Sequence, residues 1–405
     1  MKLLEKLKEF TIPRKQIINQ QIAIIDDYIP NAKPMGFRNY EFNLILNAIP
    51  EAHIWSMSKT KPGKDAFFSH SYGQDKKQFK KNLDEYLKFH PENKDRVHWL
   101  NTKKKHSFGL AYSIFLCTTY TLLPFYNKNK IPFIFVLYPG GGFGLDNPSS
   151  DKMLKVVCQS PYFKGVVCTQ SVTYNYLIKK HFCAPEQIHY EFGGYIQFQP
   201  QDIPQKQYYP KDKKTLDICF VAAKYSPKGV DKGYDLFIDT AKELVKKYSF
   251  VHFHVVGGFD ETDIQVDELK DRITFHGYLQ PHQLSGFYSK MDICLSPNRP
   301  FKLFPGNFDG FPLSFEATCF KTVLATTDEL NNNQGYYIDG KELIIIRPNL
   351  KDILSKIEPL LENLEMLYSI GHAGSVKTFE IMNPQKRAEN IIEFLRRNMN
   401  TKNIN

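Results

Sequence analysis

Residues 216–248 read LDICFVAAKYSPKGVDKGYDLFIDTAKELVKKY. An apolar, partly β-branched run over 216–222 gives way to a turn that carries Lys224, Lys228, Gly229, Lys232 and Gly233. A helical pattern follows over 234–248, with Phe237, Ala241, Leu244 and Val245 on one face. Strand, glycine turn and amphipathic helix make half of a βαβ unit, and its repetition marks a parallel sheet covered by helices.

The repetition continues downstream. Strands are expected over 251–256, 273–276, 293–296 and 322–326, and helices over 282–290 and 313–320. The tail over 352–399 reads as almost wholly helical, ending in a helix over 376–399 expected to cross back to the other half. Upstream, strands are expected over 21–26, 52–57, 131–138, 165–169 and 187–191, with a helix over 171–181. The uncharged run over 109–126 reads as a buried helix, because its polar residues and Pro124 suit a bilayer poorly. Between the halves, QPQDIPQKQYYPKDKK over 199–214 has no periodicity. The expected organisation is α/β throughout: one doubly wound, Rossmann-like parallel-sheet domain over 1–200, a linker over 201–214, and a second such domain over 215–375 facing it across a cleft.

Composition agrees with two domains. The chain has 405 residues, 42% hydrophobic and 24% charged, too long for one ordinary domain and too apolar for disorder. Fifty-three Lys and Arg against 43 Asp and Glu give a net charge of +10, which favours an anionic partner. The 7 cysteines are scattered and form no C-x-x-C pair, so a reduced intracellular chain without a disulfide framework or structural zinc is expected. The opening MKLLEKLKEF interleaves charge with leucine, unlike a secretory signal.

Open parallel sheets bind ligands beyond the carboxyl ends of their strands. In the turn after 216–222, lysines and glycines stand before a helix, where ammonium groups and backbone N–H groups suit a phosphate; a solvated basic turn explains the same spacing. The second cluster is GNFDGFPLSFEATCF, over 306–320. Its turn residues Gly310, Phe311 and Pro312 lead into a helix whose first N–H groups, on Leu313, Ser314 and Phe315, are free to face a phosphate. Glu316 lies beside an apolar face, odd for a carboxylate without a hydroxyl-bearing partner such as a ribose. Asp309 at the turn also suits an Asx-type cap.

These residues carry a resemblance. The C-terminal half resembles the nucleotide-sugar-binding domain of the glycosyltransferase group 1 family, retaining enzymes of the GT-B fold. The collinear matches are Lys224 and Lys232-Gly233 after a strand, ITFHGYL with Gly277, MDICLSPN, DGFPLSFEA and VLATTDELNN. In the N-terminal half KPMGFRNYEF, VVCTQSVTYNYL and IHYEFGG are similar to the family's glycine loop, Ser-initiated helix and pre-linker strand. The resemblance implies transfer of a sugar from a UDP- or GDP-sugar co-substrate, without metal or other cofactor, to a glycan or lipid-linked acceptor. Surface polysaccharide or lipopolysaccharide synthesis is the implied setting, at a cytoplasmic or peripheral-membrane location. Lys224 and Lys232 are then the phosphate ligands, Glu316 the ribose ligand and Asp309 the sugar ligand. The acceptor is expected near Gly36, Arg38, Glu41, Tyr138, Gly140 and Gly141. Retention proceeds by front-face attack, with the leaving phosphate taking the acceptor's proton.

This chain departs from the family in three places. Asp309 replaces the first of two glutamates and stands one position closer to Glu316. The basic pair is split by SPKGVD, which leaves Lys228 as an alternative phosphate ligand. Tyr138 takes the place of a histidine in LYPGGGFG. His106 reads as a surface residue, His252, His254 and His276 as structural, and the DE and DEL segments as isolated surface acids. Three rival readings are inverting transfer or sugar-nucleotide epimerisation on the same fold, a basic nucleic-acid-binding protein, and a catalytically inactive member of the family, suggested by the shifted Asp309. Dispersed lysines and the lack of RNP-like, zinc-finger or arginine-rich patterns oppose the second. The basic segment over 2–15 is a candidate contact for an anionic membrane.

Overall fold

The computed structural model describes residues 21–31, 37–61 and 71–399. In the first domain the strands are β1 (Ile22–Asp26), β2 (Ala52–Met57), β3 (Val97–Leu100), β4 (Leu110–Ile114), β5 (Phe133–Leu137), β6 (Phe163–Cys168) and β7 (Ile188–Tyr190). The helices between them are α1 (Phe37–Ala48), α2 (Lys76–Tyr86), α3 (Leu116–Asn129), α4 (Pro148–Cys158) and α5 (Ser171–Lys179). In the second domain β8 (Leu216–Val221), α6 (Tyr234–Lys247), β9 (Val251–Val256), β10 (Ile273–Phe275), α7 (Pro281–Tyr288) and β11 (Ile293–Ser296) precede a short α8 (Glu316–Cys319). Strands β12 (Val323–Thr327) and β13 (Ile344–Ile346) complete the sheet, followed by α9 (Leu350–Glu362), α10 (Leu364–Ile381) and α11 (Pro384–Asn398).

Both sheets are parallel, in the orders β3-β2-β1-β4-β5-β6-β7 and β10-β9-β8-β11-β12-β13. Helices cover each sheet on both faces, so β1, β4, β5 and β11 are buried along their whole length and read as continuous apolar runs. One face of the first sheet packs against α3 and α4 through Leu122, Phe125, Met153 and Leu154. The other packs against α1 and, from the far end of the chain, α11, whose Ile391, Ile392 and Leu395 join Phe42, Ile45 and Leu46.

Several elements differ from the sequence expectation: β3 and β13 are absent from it, and the helix expected over 376–399 is broken at Met382 and Asn383, between α10 and α11. The stretch over 109–126 is not one helix: Leu110–Ile114 is the central strand β4, and α3 begins at Leu116. A fully buried strand and a buried helix present the same uncharged run, so periodicity cannot separate them. Phe115, at φ 71, makes the break between the two. The helix expected over 313–320 shrinks to Glu316–Cys319, because Ser314 adopts φ 58 and stops the helix from extending backwards.

The aperiodic linker hides a buried lysine. Lys206 is 5% exposed and donates to the Met291 carbonyl and to Thr322 Oγ1, the latter at 3.0 Å. Burial lowers its pKa to about 7, against the pull of Asp292. The unfolded chain, with an ordinary lysine near 10.4, binds more protons above pH 7, so this group makes stability rise with pH from about 7 to about 10. Unfolding of Lys206→Met and wild type at a series of pH values is expected to show the difference moving in favour of wild type as pH rises. A slope of the opposite sign contradicts the burial argument.

Candidate functional site

Strand order reverses beside β1 in the first sheet and beside β8 in the second, and ligand sites of doubly wound sheets form at such points. In the second domain the turn after β8 is shaped by Gly233, at φ 75. A Cβ there would stand 2.1 Å from the Pro297 carbonyl oxygen, so only glycine lets this turn lie against the loop after β11. The contact brings Lys232 to Asp309: Nζ donates to Oδ1 at 2.5 Å, with the lysine side chain 7% exposed and the aspartate 20%. The Tyr225 ring lies 5.2 Å from the ammonium.

The other two lysines of the turn are placed differently. Lys224 pairs with Asp263 and lies near the Phe259 ring, while Lys228 is exposed, at φ 57. Lys232 alone of the three joins the acidic motif.

Across the motif, Phe311 and Pro312 are buried and Ser314 donates to the carbonyl of Val221, the last residue of β8, at 3.0 Å. Phe315 is the N-cap of α8, in the right-handed region, and the left-handed Ser314 stands before it, so of Leu313, Ser314 and Phe315 only Phe315 belongs to the helix N-terminus the spacing suggested. Glu316 instead opens α8, half-buried, and burial raises its carboxyl pKa. Among the described residues no other side chain pairs with that carboxylate. Gly277, at φ 62 after β10, accepts from the Gly257 N–H at 2.9 Å.

On the opposite wall, Arg38 is tied to Asp26 and Asp27, at 3.2 and 2.9 Å, and stacks 4.6 Å over the Phe115 ring. Burial raises the Asp27 carboxyl, with the Asp26 charge adding to it and Arg38 opposing. Glu41 is fully buried and accepts from the hydroxyls of Tyr112 and Tyr138, the second at 2.9 Å. With no exposed surface, it lies beneath the wall rather than on it. Burial raises its pKa, opposed by those hydroxyls and by Arg387. Gly140 and Gly141 follow β5 in the left-handed region, at φ 81 and 55. A Cβ on Gly141 would stand 2.2 Å from the Phe115 ring. Gly36 and the basic segment over 2–15 lie outside the described residues.

The two walls touch. Leu145 N–H donates to the Gly306 carbonyl at 2.8 Å, and the rings of Phe143 and Phe308 meet edge to face at 5.6 Å. A small polar pocket at the ends of β11 and β12 is lined by Asn298, Asp309, Gly310, Asp328, Glu329 and Asn332, among others. Asp328 and Glu329 are therefore cleft residues, whereas their sequence reads as surface acids. Asp328 is placed there because it accepts from the Asn332 and Asn333 N–H groups in a tight turn.

Gln170 and Asn332 are further cleft residues that sequence reasoning missed, although both lie in quoted motifs. His106 is half-buried, stacked on Phe108 and edge to face with Trp55 and Phe125, and is neither a surface nor a cleft residue. His254 bonds Asp217 and His276, both at 3.0 Å. His252 bonds Thr274 at 2.8 Å. Among the described residues no three His, Cys, Asp or Glu side chains gather as a metal ion requires.

Two Rossmann-like parallel-sheet domains enclosing a lysine- and carboxylate-lined cleft define the GT-B architecture. Residues 215–363, within the C-terminal half, match the family model described as Glycosyl transferases group 1, and the chain as a whole has the GT-B fold. No curated protein matches the sequence. The fold is similar to that of sucrose-phosphate synthase from Thermosynechococcus elongatus, at 14% identity over 93% of this chain and 98% of that one, TM-score 0.64. It is similar also to Anabaena HepE, solved with UDP and glucose, at 13% identity over 93% and 100%, TM-score 0.65. Staphylococcus aureus TarM, as a mutant solved with Fondaparinux, alpha-GlcNAc-glycerol and UDP, is 17% identical over 70% and 55%, TM-score 0.54.

Proposed function

We propose that this chain transfers a hexosyl group, with retention of configuration, from a UDP- or GDP-sugar to a glycan or lipid-linked acceptor in surface polysaccharide synthesis. The observation that carries the reading is Lys232, buried at the carboxyl edge of the second sheet with Asp309 as its partner. The complexes of HepE with UDP and glucose and of TarM with UDP support a nucleotide-sugar donor.

In this reading the bond between the anomeric carbon and the β-phosphate oxygen breaks, and negative charge grows on the departing phosphate. Lys232 turns from Asp309 to that phosphate, with Lys224 further out. Such a charge, held by a mostly buried ammonium, is stabilised far more than in water. Asp309, freed, takes hydroxyls of the donor sugar. Glu316, whose half-buried carboxylate pairs with no other side chain among the described residues, takes the ribose hydroxyls. The acceptor hydroxyl forms the new bond on the face the phosphate leaves, and its proton passes to the phosphate, so the step balances without a protein base.

The exposed lysines Lys76, Lys77, Lys80 and Lys81 of α2 add a basic face on the acceptor side, which suits a lipid-linked acceptor on an anionic membrane. Among the described residues no helix is long and apolar enough to cross a membrane.

A thermal-shift screen against UDP-, GDP-, ADP- and CMP-sugars is expected to give stabilisation by one UDP- or GDP-sugar. NMR of the product formed from that donor is then expected to show the donor's anomeric configuration. An inverted product contradicts the mechanism.

A further inference from the structure

Gln170 stands at the N-cap position of α5, yet its side chain caps nothing there. Its amide crosses to the other domain instead. Phe311 N–H donates to Gln170 Oε1 at 2.9 Å, and Gln170 Nε2 donates to the Phe311 carbonyl at 3.3 Å. Gln170 is 2% exposed and Phe311 4%, so water has no access to take over either bond. An amide suits this place because one planar group offers both an acceptor and a donor, matching the two backbone groups of a single residue.

The cap that Gln170 does not provide comes from the second domain. Asn332 Oδ1 accepts from the Val172 N–H at 3.0 Å and from the Ser171 hydroxyl at 3.2 Å, and Asn332 is also 2% exposed. Each domain thus completes the backbone hydrogen bonding of the other at the cleft. Phe311 stands two residues beyond Asp309, the partner of Lys232.

We propose that Gln170 is a positioning residue for transfer: by holding both backbone polar groups of Phe311 it fixes the donor loop over 309–315 against the N-terminal domain. The proposal rests on the reading of that loop as the donor site. It makes closure of the cleft and assembly of the donor site one event. Lys232, Asp309 and Glu316 all belong to the second domain, so nucleotide binding persists when the latch is lost, whereas turnover does not.

The test uses the full chain, UDP as the binding probe and UDP-glucose as the donor, with UDP release as the rate. Losing two neutral hydrogen bonds in Gln170→Ala is expected to lower kcat about 10- to 100-fold while the UDP affinity stays within about threefold. Hydrogen exchange over 306–316 is expected to accelerate in the same variant. In Gln170→Glu the carboxylate still accepts from Phe311 N–H but repels its carbonyl. Lowering the pH protonates it and restores the donor, so activity relative to wild type is expected to return as pH falls from about 8 to about 5.5. A purely structural role gives no such return.

A Gln170→Ala kcat within about twofold of wild type, unchanged exchange over 306–316, or a Gln170→Glu profile parallel to wild type overturns the proposal. If wild type neither binds UDP nor releases it from UDP-glucose, the UDP-sugar reading falls. The exchange over 306–316 still decides whether Gln170 holds the loop.

Discussion

Replacing Lys232 with alanine is expected to lower turnover about 10²- to 10³-fold, the loss that accompanies removal of one preorganised donor from a developing oxyanion. The lysine side chain is 7% exposed, so its charge acts on the leaving phosphate with little screening by water. The fold is expected to survive, because the Asp309 carboxylate left behind is 20% exposed and can be hydrated. Lys224→Ala is expected to lose less, since its ammonium already pairs with Asp263 and its side chain is 31% exposed. The check is the rate of nucleoside diphosphate release by both variants, with thermal midpoints measured in parallel. Equal losses in the two variants contradict the assignment of Lys232 as the principal phosphate ligand.

The largest effect on stability is expected at Arg387. It is 2% exposed, donates to the Phe192 carbonyl at 2.7 Å, and lies 4.7 Å over the Tyr195 ring. Its charge opposes the burial that raises the Glu41 pKa, without a direct bond between the two side chains. Arg387→Met removes the cation and leaves Glu41 with its two tyrosine hydroxyls alone. Losing the charge-assisted hydrogen bond to the buried Phe192 carbonyl costs about 1.5–3 kcal/mol, read as a lower urea midpoint. Glu41→Gln in the same chain is expected to return part of the loss, because it neutralises the orphaned charge. A double variant no more stable than Arg387→Met places the effect in lost packing instead.

Much of this molecule is legible in its sequence, for definite physical reasons. The βα alternation after residue 216 shows because β8 and β9 are bounded by turn residues and α6 has a clean apolar face. Central strand β4 was hidden because helices cover both its faces, which removes the alternation that would reveal it. The loop over 309–315 reads as a helix start because apolar residues from Leu313 onward keep helical spacing, while the left-handed turn at Ser314 has no glycine to announce it. Glu41 is legible only through the resemblance of KPMGFRNYEF, and its buried partners Tyr112 and Tyr138 come from distant segments that the fold gathers. Gln170 and Asn332 were unremarkable amides for the same reason: their partners lie 141 and 160 residues away in sequence.

The central claim is that a nucleoside diphosphate is held at Lys232 in the cleft. Calorimetric titration of UDP and of GDP into wild type and Lys232→Ala tests it most directly. The account predicts that one of the two binds wild type and that the variant binds it at least about tenfold more weakly, the loss of one charge-assisted contact. Failure of both nucleotides to bind, or equal affinity in the two chains, would contradict it.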